Sequence, residues 1–181
     1  IVEKDADIDS MLPSLVKGGF YHAGQVCVSV QRVFVHEFLC ELVAHRLAEM
    51  AKKLVVGDPL DEKTEVGPLI LPREVDRVEA WVKEAVDGGA ELLCGGKRIS
   101  DSCYEPTVLL NPPSNAKVST LEVFGPVVCV YSYSDRNEAI KIANGLDVHF
   151  QASVFTQDLD IALDTVEKLD ATAVMVNDHT A

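Results

Sequence analysis

The stretch VVCVYSY at residues 127–133 opens the part of the sequence that decides the fold. It is followed by NEAIKIANGL at 137–146, ASVF at 152–155, LDIALDTVEKL at 159–169 and AVMV at 173–176. Apolar runs thus alternate with segments of helical spacing, and strands joined by helices usually pair in parallel. Near-continuous apolar strands indicate a sheet that is covered on both sides. The pattern predicts an α/β fold, doubly wound, with a mostly parallel sheet and helices on both faces.

Upstream of residue 127 the same reasoning adds further elements. Apolar residues recur at helical spacing over 8–20, helices are predicted over 38–54 and 72–86, and strands are predicted at 28–35 (at least from Arg32 onward), 91–94 and 106–110. Because a missing N–H donor costs nothing in the first turn, the first helix is predicted to begin just before Pro13. Phe38 and Leu42 are assigned to the apolar face of the second helix. Residues 57–71, rich in Asp, Pro and Gly, are predicted to form a surface loop.

The length and charge of the chain limit its possible partners. A length of 181 residues suits one well-cored domain, and 16 basic against 29 acidic residues give a net charge of −13. Such a chain repels phosphate backbones and anionic lipid, so neither nucleic acid nor membrane is expected as a partner. There is no signal-peptide pattern at the start, and both ends resemble cuts in a longer polypeptide. A cytoplasmic protein is predicted.

The five cysteines point to a reducing compartment. Their number is odd, and no pair shows the short spacing of a zinc or redox motif, so no metal site is predicted. Cys40 and Cys129 fall in apolar segments and are expected to be small buried residues. Cys27 differs, because it lies in a loop with Gly24 between a helix and a strand.

Cys27 is the first candidate for chemistry. Loops at strand ends of α/β sheets bind ligands, and backbone N–H groups there can ionise a thiol whose ordinary pKa is about 8.5. The alternative is that Cys27 is one more buried small residue. A cysteine hydrolase would also need His22 or His149 within hydrogen-bond reach of the thiol.

The second candidate is EVFGP at residues 122–126, just before an apolar strand. The carboxylate of Glu122 can bind the diol of a ribose, and the ring of Phe124 can pack against a flat heterocycle. The alternative is an ordinary turn with a core Phe and a solvated Glu.

Taken together, these segments resemble one family. FYHAGQVC at 20–27 is similar to the active-site cysteine motif of the aldehyde dehydrogenase superfamily, and EVFGP is similar to its nicotinamide-side motif. GDP at 57–59, VGPLI at 66–70, ASVFT at 152–156 and VN at 176–177 also resemble family segments, in family order. The resemblance covers essentially the whole chain.

The resemblance implies roles for the matching residues. Cys27 is expected to attack an aldehyde and form a thiohemiacetal, which becomes a thioester when hydride leaves to NAD or NADP. The backbone N–H of Cys27 is expected to donate to the oxyanion. Glu122 is expected to hold the ribose beside the nicotinamide, and Phe124 to pack near its ring.

The resemblance also implies what residues 1–181 lack. The general-base Glu, the second oxyanion donor and the cofactor-binding domain belong upstream of Ile1, and the C-terminal oligomerisation segment belongs after Ala181. The chain is therefore expected to be a catalytic-domain fragment that binds no cofactor and turns over no aldehyde alone. The full-length enzyme is expected to be a homodimer or homotetramer. Alternatives are an acylating, coenzyme A-dependent enzyme and a non-catalytic interaction module on the same fold.

Overall fold

The computed structural model describes residues 1–146 and 150–180. The helices are α1 (Ile8–Phe20), α2 (Cys40–Ala51), α3 (Pro72–Asp87), α4 (Lys117–Thr120), α5 (Arg136–Ala143) and α6 (Leu159–Lys168). The strands are β1 (Arg32–His36), β2 (Glu91–Cys94), β3 (Thr107–Leu110), β4 (Val127–Tyr133), β5 (Gln151–Val154) and β6 (Ala173–Val176). The strands and helices predicted from residue 127 onward are confirmed with small shifts at their ends.

The sheet is mostly parallel, as predicted. Four strands lie in the order β1-β4-β3-β2, in which only β2 runs antiparallel to its neighbour, and β5 pairs in parallel with β6. Val2 bridges the two sheets, because it pairs in parallel with both Val35 and Phe155. Its N–H donates to the carbonyl of Phe34 (2.7 Å), and the N–H of Glu3 donates to that of Phe155 (3.0 Å). Residues 1–3 therefore make the sheet continuous across β1 and β5.

Helices cover both faces of this sheet. Val33 and Val35 point to the main core, which they share with α1, α2 and α3. Phe34, between them, points to the opposite face and packs with Tyr133 and with Ala139 of α5. Because side chains alternate along a strand, the three residues of β1 show that each face has its own helices. The prediction of a doubly wound α/β fold is confirmed.

The start of α1 differs from the prediction based on Pro13. The helix begins at Ile8, and the side chain of Asp7 caps it by accepting the N–H groups of Asp9 (3.1 Å) and Ser10 (3.2 Å). Pro13 lies inside the helix. A capping carboxylate satisfies donors that the first turn leaves open, so Asp7 sets the boundary and the proline does not.

The prediction for Phe38 and Leu42 is wrong. Phe38 is 77% exposed and precedes α2, with its ring against that of His36, and Leu42 is also exposed. The helix begins only at Cys40 and buries a stripe of small and medium apolar residues, namely Cys40, Val43, Ala44, Leu47, Ala48 and Ala51. This stripe already fills the face toward the sheet, so Leu42 is turned away from it.

The end of α1 brings the next loop close to β4. The helix continues through Gly18 and Gly19 to Phe20. A Cβ atom on Gly19 would lie 2.5 Å from a methyl carbon of Val128, and one on Gly18 would lie 2.8 Å from Val30. The two glycines therefore allow a close approach of helix to sheet. This approach fixes the position of residues 21–30.

Candidate active site

The loop that carries Cys27 begins with a left-handed turn. His22, Ala23 and Gly24 have φ values of 50°, 56° and 71°. Left-handed backbone costs about 1–2 kcal/mol for a residue with a Cβ atom, so contacts elsewhere must hold this shape. Such strained turns are concentrated at functional sites.

Cys27 lies at the tip of a second turn that is anchored on both sides. The N–H of Ser29 donates to the carbonyl of Val26 (3.0 Å), and its hydroxyl donates to that of Gly18 (3.2 Å). The hydroxyl of Thr180 donates to the carbonyl of the residue that follows Cys27 (2.6 Å). The thiol itself is exposed. The sequence thus places a solvent-accessible sulfur on a well-fixed backbone.

Neither the thiol nor the backbone N–H of Cys27 is hydrogen-bonded to a described residue, that is, to any of residues 1–146 and 150–180. His22 is exposed, with its ring against that of Tyr21, and does not bond to the thiol. His149 lies outside the described residues. The described residues therefore give no support to the hypothesis of a cysteine hydrolase.

The other four cysteines are buried. Burial raises the pKa of Cys40, that of Cys94 to about 11 and that of Cys129 to about 12. Cys103 is buried as well. The prediction that Cys40 and Cys129 are buried small residues is confirmed.

Iodoacetamide is expected to alkylate Cys27 at least about 100-fold faster than Cys129 at pH 8. A thiol of pKa about 12 is ionised to roughly one part in ten thousand at that pH, and Cys129 is also closed to solvent. Peptide mapping by mass spectrometry over time measures both rates in one sample. Equal rates would contradict the exposure of Cys27 and the burial of Cys129. A Cys27→Ala sample shows how much of the label is attached to the other cysteines.

Gln25 ties the cysteine loop to residues 66–70. Its Nε2 donates to the carbonyls of Pro68 (3.1 Å) and His22 (3.2 Å), and its Oε1 accepts the N–H of Ile70 (2.8 Å). Both segments resembled family segments in the sequence. Their contact was not predicted, because nothing local to either segment indicates it.

Glu122 lies in irregular backbone held by two side chains from other segments. The N–H of Val123 donates to Oε1 of Gln31 (2.9 Å), and its carbonyl accepts from Nη2 of Arg77 on α3 (2.6 Å). The carboxylate of Glu122 is exposed and makes no hydrogen bond or ion pair with any described residue. Sequence reasoning missed Gln31 and Arg77; the one local signal was a polar Gln31 inside a valine-rich run.

The two motif segments touch through their glycines. A Cβ atom on Gly24 would overlap the carbonyl oxygen of Gly125. Phe124, just before Gly125, has a φ of 44° and is 41% exposed. Glycine at position 24 therefore lets the cysteine loop and the 122–126 turn meet backbone to backbone.

A cavity of about 710 Å³ opens between β1 and β5, and both Cys27 and Glu122 line it. Other lining residues include Gln31, Leu121, Phe155 and Thr180. The structure thus brings two of the three predicted site residues to one cavity. Phe124 is not among the residues that line it. No cluster of three His, Cys, Asp or Glu side chains suited to a metal occurs in the described ranges 1–146 and 150–180.

The fold and this cavity define the class: an α/β protein with an exposed cysteine in the loop that leads into a strand of a mostly parallel sheet. The model of the aldehyde dehydrogenase family matches residues 1–181. The chain belongs to the aldehyde dehydrogenase family.

Three known proteins illustrate the similarity. A 3-sulfolactaldehyde dehydrogenase from Priestia aryabhattai is 42% identical over 181 residues, which are 100% of this chain and 38% of that protein. The structure of aldehyde dehydrogenase 21 from Physcomitrella patens, in complex with the reaction product succinate, superposes with a TM-score of 0.95 at 40% identity, over 99% of this chain and 38% of the other. A glyceraldehyde-3-phosphate dehydrogenase from Methanocaldococcus jannaschii, complexed with NADP, gives a TM-score of 0.94 at 37% identity, over 99% and 39%.

These matches also bear on length. The chain spans about 38% of the length of the curated relative and a similar share of the two solved chains.

In the described residues, no helix combines the length and the apolar character that a membrane crossing requires.

Proposed function

We propose that residues 1–181 form the cysteine-bearing part of the catalytic domain of an NAD(P)-dependent aldehyde dehydrogenase. The full-length enzyme oxidises an aldehyde to a carboxylic acid, with Cys27 as its nucleophile. The observation that carries the proposal is that Cys27, with an exposed thiol, and Glu122, whose carboxylate has no partner among the described residues, line one cavity in a chain of this family.

Cys27 supplies the covalent chemistry. Its thiolate adds to the aldehyde carbon, a C–S bond forms, and the carbonyl oxygen becomes an oxyanion. The backbone N–H of Cys27, which donates to no described residue, is available to that oxyanion. Loss of hydride then leaves a thioester on Cys27, and water releases the acid. NAD or NADP, when bound, supplies the acceptor for the hydride.

Glu122 and Phe124 fit a nucleotide cofactor. The Glu122 carboxylate lacks a partner among the described residues and lines the cavity, so it can accept hydrogen bonds from a ribose diol. The partly exposed ring of Phe124 offers an apolar surface to a flat heterocycle beside the Gly24–Gly125 contact. We assign these two residues to the cofactor and Cys27 to the aldehyde.

The remaining parts of the site come from the rest of a longer polypeptide. They are the base that activates the hydrolytic water, the second oxyanion donor, the cofactor-binding domain and the C-terminal oligomerisation segment. The full-length enzyme is a homodimer or homotetramer of the cytoplasm, and residues 1–181 alone turn over no aldehyde.

Turnover by the full-length protein tests this function. With NAD or NADP and a panel of polar and apolar aldehydes, we expect reduced cofactor and an equal amount of free acid in the absence of coenzyme A. A requirement for coenzyme A would establish the acylating reaction instead. Failure to turn over any aldehyde would favour a non-catalytic interaction module. The 181-residue chain, assayed in parallel, is expected to give no reduced cofactor.

A further inference from the structure

The side chain of Gln31 makes three hydrogen bonds to one distant segment of backbone. Its Nε2 donates to the carbonyls of Val118 (2.9 Å) and Leu121 (2.7 Å), and its Oε1 accepts the N–H of Val123 (2.9 Å). Both N–H groups of the amide are used, so Gln31 has no donor left for a ligand. Gln31 lines the cavity, but both of its N–H groups are committed to the segment that it binds.

The partners of Gln31 lie directly on each side of Glu122. Leu121 and Val123 are its chain neighbours, and α4 ends at Thr120, so no regular element fixes the backbone here. An irregular segment without side-chain anchors would sample several positions, each placing the Glu122 carboxylate differently. The three bonds from Gln31 remove this freedom at the residue that we assign to the cofactor.

Gln31 is also tied to Cys27 and to the sheet. It follows Cys27 by four residues, and its own carbonyl accepts the N–H of Cys129 on β4 (2.7 Å). Its backbone therefore moves with the cysteine segment, while its side chain holds the glutamate segment. Gln31 thus links the segment that carries the thiol to the segment that carries the carboxylate.

We propose that Gln31 is a positioning residue for the nicotinamide cofactor: it fixes the Glu122 carboxylate relative to the Cys27 sulfur. This inference rests on the proposed function, because it requires that Glu122 bind the cofactor. Arg77, which binds the carbonyl of Val123 from α3, supports the same segment from the other side.

The test is Gln31→Leu in the full-length enzyme. Leucine removes the amide at modest change in volume and leaves two carbonyls and one N–H without their partner. We expect the KM for NAD(P) to rise about tenfold or more, while kcat and the KM for aldehyde change less than roughly threefold. A purely structural role would lower the active fraction and hence kcat, with the cofactor KM unchanged, and that outcome would overturn the inference.

Gln25→Leu is the matched control. It also removes three hydrogen bonds from the cysteine segment, but their partners are His22, Pro68 and Ile70, none of which belongs to residues 118–123. We expect its cofactor KM to stay within roughly threefold of the original. An equal rise in both variants would mean general loosening of the loop and would overturn the role given to Gln31.

A double-mutant cycle separates this inference from the function beneath it. Glu122→Gln is expected to raise the cofactor KM by itself, and Gln31→Leu should then add less than about twofold in that background, because both act through one group. Effects that multiply would refute positioning through Glu122. If Glu122→Gln leaves the cofactor KM unchanged, the assignment of Glu122 fails. If Glu122→Gln raises the cofactor KM but Gln31→Leu leaves it unchanged, the assignment of Glu122 stands and the inference about Gln31 fails.

Discussion

Cys27→Ala is expected to lower kcat for aldehyde oxidation by the full-length enzyme by at least about 10⁴-fold. The proposed reaction passes through a C–S bond at every turnover, and alanine offers no atom that can form it. The loss should appear in kcat, since substrate and cofactor contacts other than the sulfur are kept. Steady-state production of reduced cofactor measures it.

Cys27→Ala is not expected to lower the stability of the fold. Cys27 is exposed and its thiol makes no hydrogen bond in the described structure, so the melting temperature is expected to stay within about 2 °C of the original. Cys40→Ala is the opposite control: it removes a buried sulfur outside the cavity lining and should cost about 1 kcal/mol of stability while kcat falls less than roughly threefold. A kcat for Cys27→Ala above roughly a hundredth of the original would exclude Cys27 as the nucleophile.

The strands of the second half were predictable because burial on both faces demands unbroken apolar runs. VVCVYSY at 127–133 and AVMV at 173–176 coincide with β4 and β6 to the residue. Errors arose where one local rule competed with another. Pro13 suggested a helix start, but the side chain of Asp7 accepts two backbone N–H groups and begins the helix at Ile8, so the proline falls inside α1.

The contacts that build the site could not be predicted from local sequence. Gln31 binds residues 118–123, which lie 87 to 92 positions away, and Gln25 binds Pro68 and Ile70. Helix and strand patterns depend on neighbours within a few positions, whereas these bonds depend on the three-dimensional path of the chain. The resemblance of short motifs identified Cys27, Glu122 and Phe124 as candidates, but it carried no information on the glutamines that hold their segments.

Gly24→Ala is expected to destabilise the full-length enzyme by at least about 2 kcal/mol and to lower kcat/KM by about 100-fold or more. The new Cβ atom would overlap the carbonyl oxygen of Gly125 and lie 2.6 Å from its carbonyl carbon. Both are backbone atoms, so neither can rotate away as a side chain can. The left-handed φ of 71° at Gly24 adds strain for any residue with a Cβ atom. The cysteine loop must therefore move away from the 122–126 turn.

Gly67→Ala provides the matched control for this substitution. A Cβ atom on Gly67 would meet no atom within 4 Å, so the same chemical change is expected to alter stability by less than about 0.5 kcal/mol. Denaturant unfolding and steady-state kinetics of both variants give the comparison. If Gly24→Ala were as mild as Gly67→Ala in both measurements, the close backbone contact between the two motifs would not exist in solution. If it lost stability but kept kcat/KM, the contact would support the fold without setting the distance between Cys27 and Glu122.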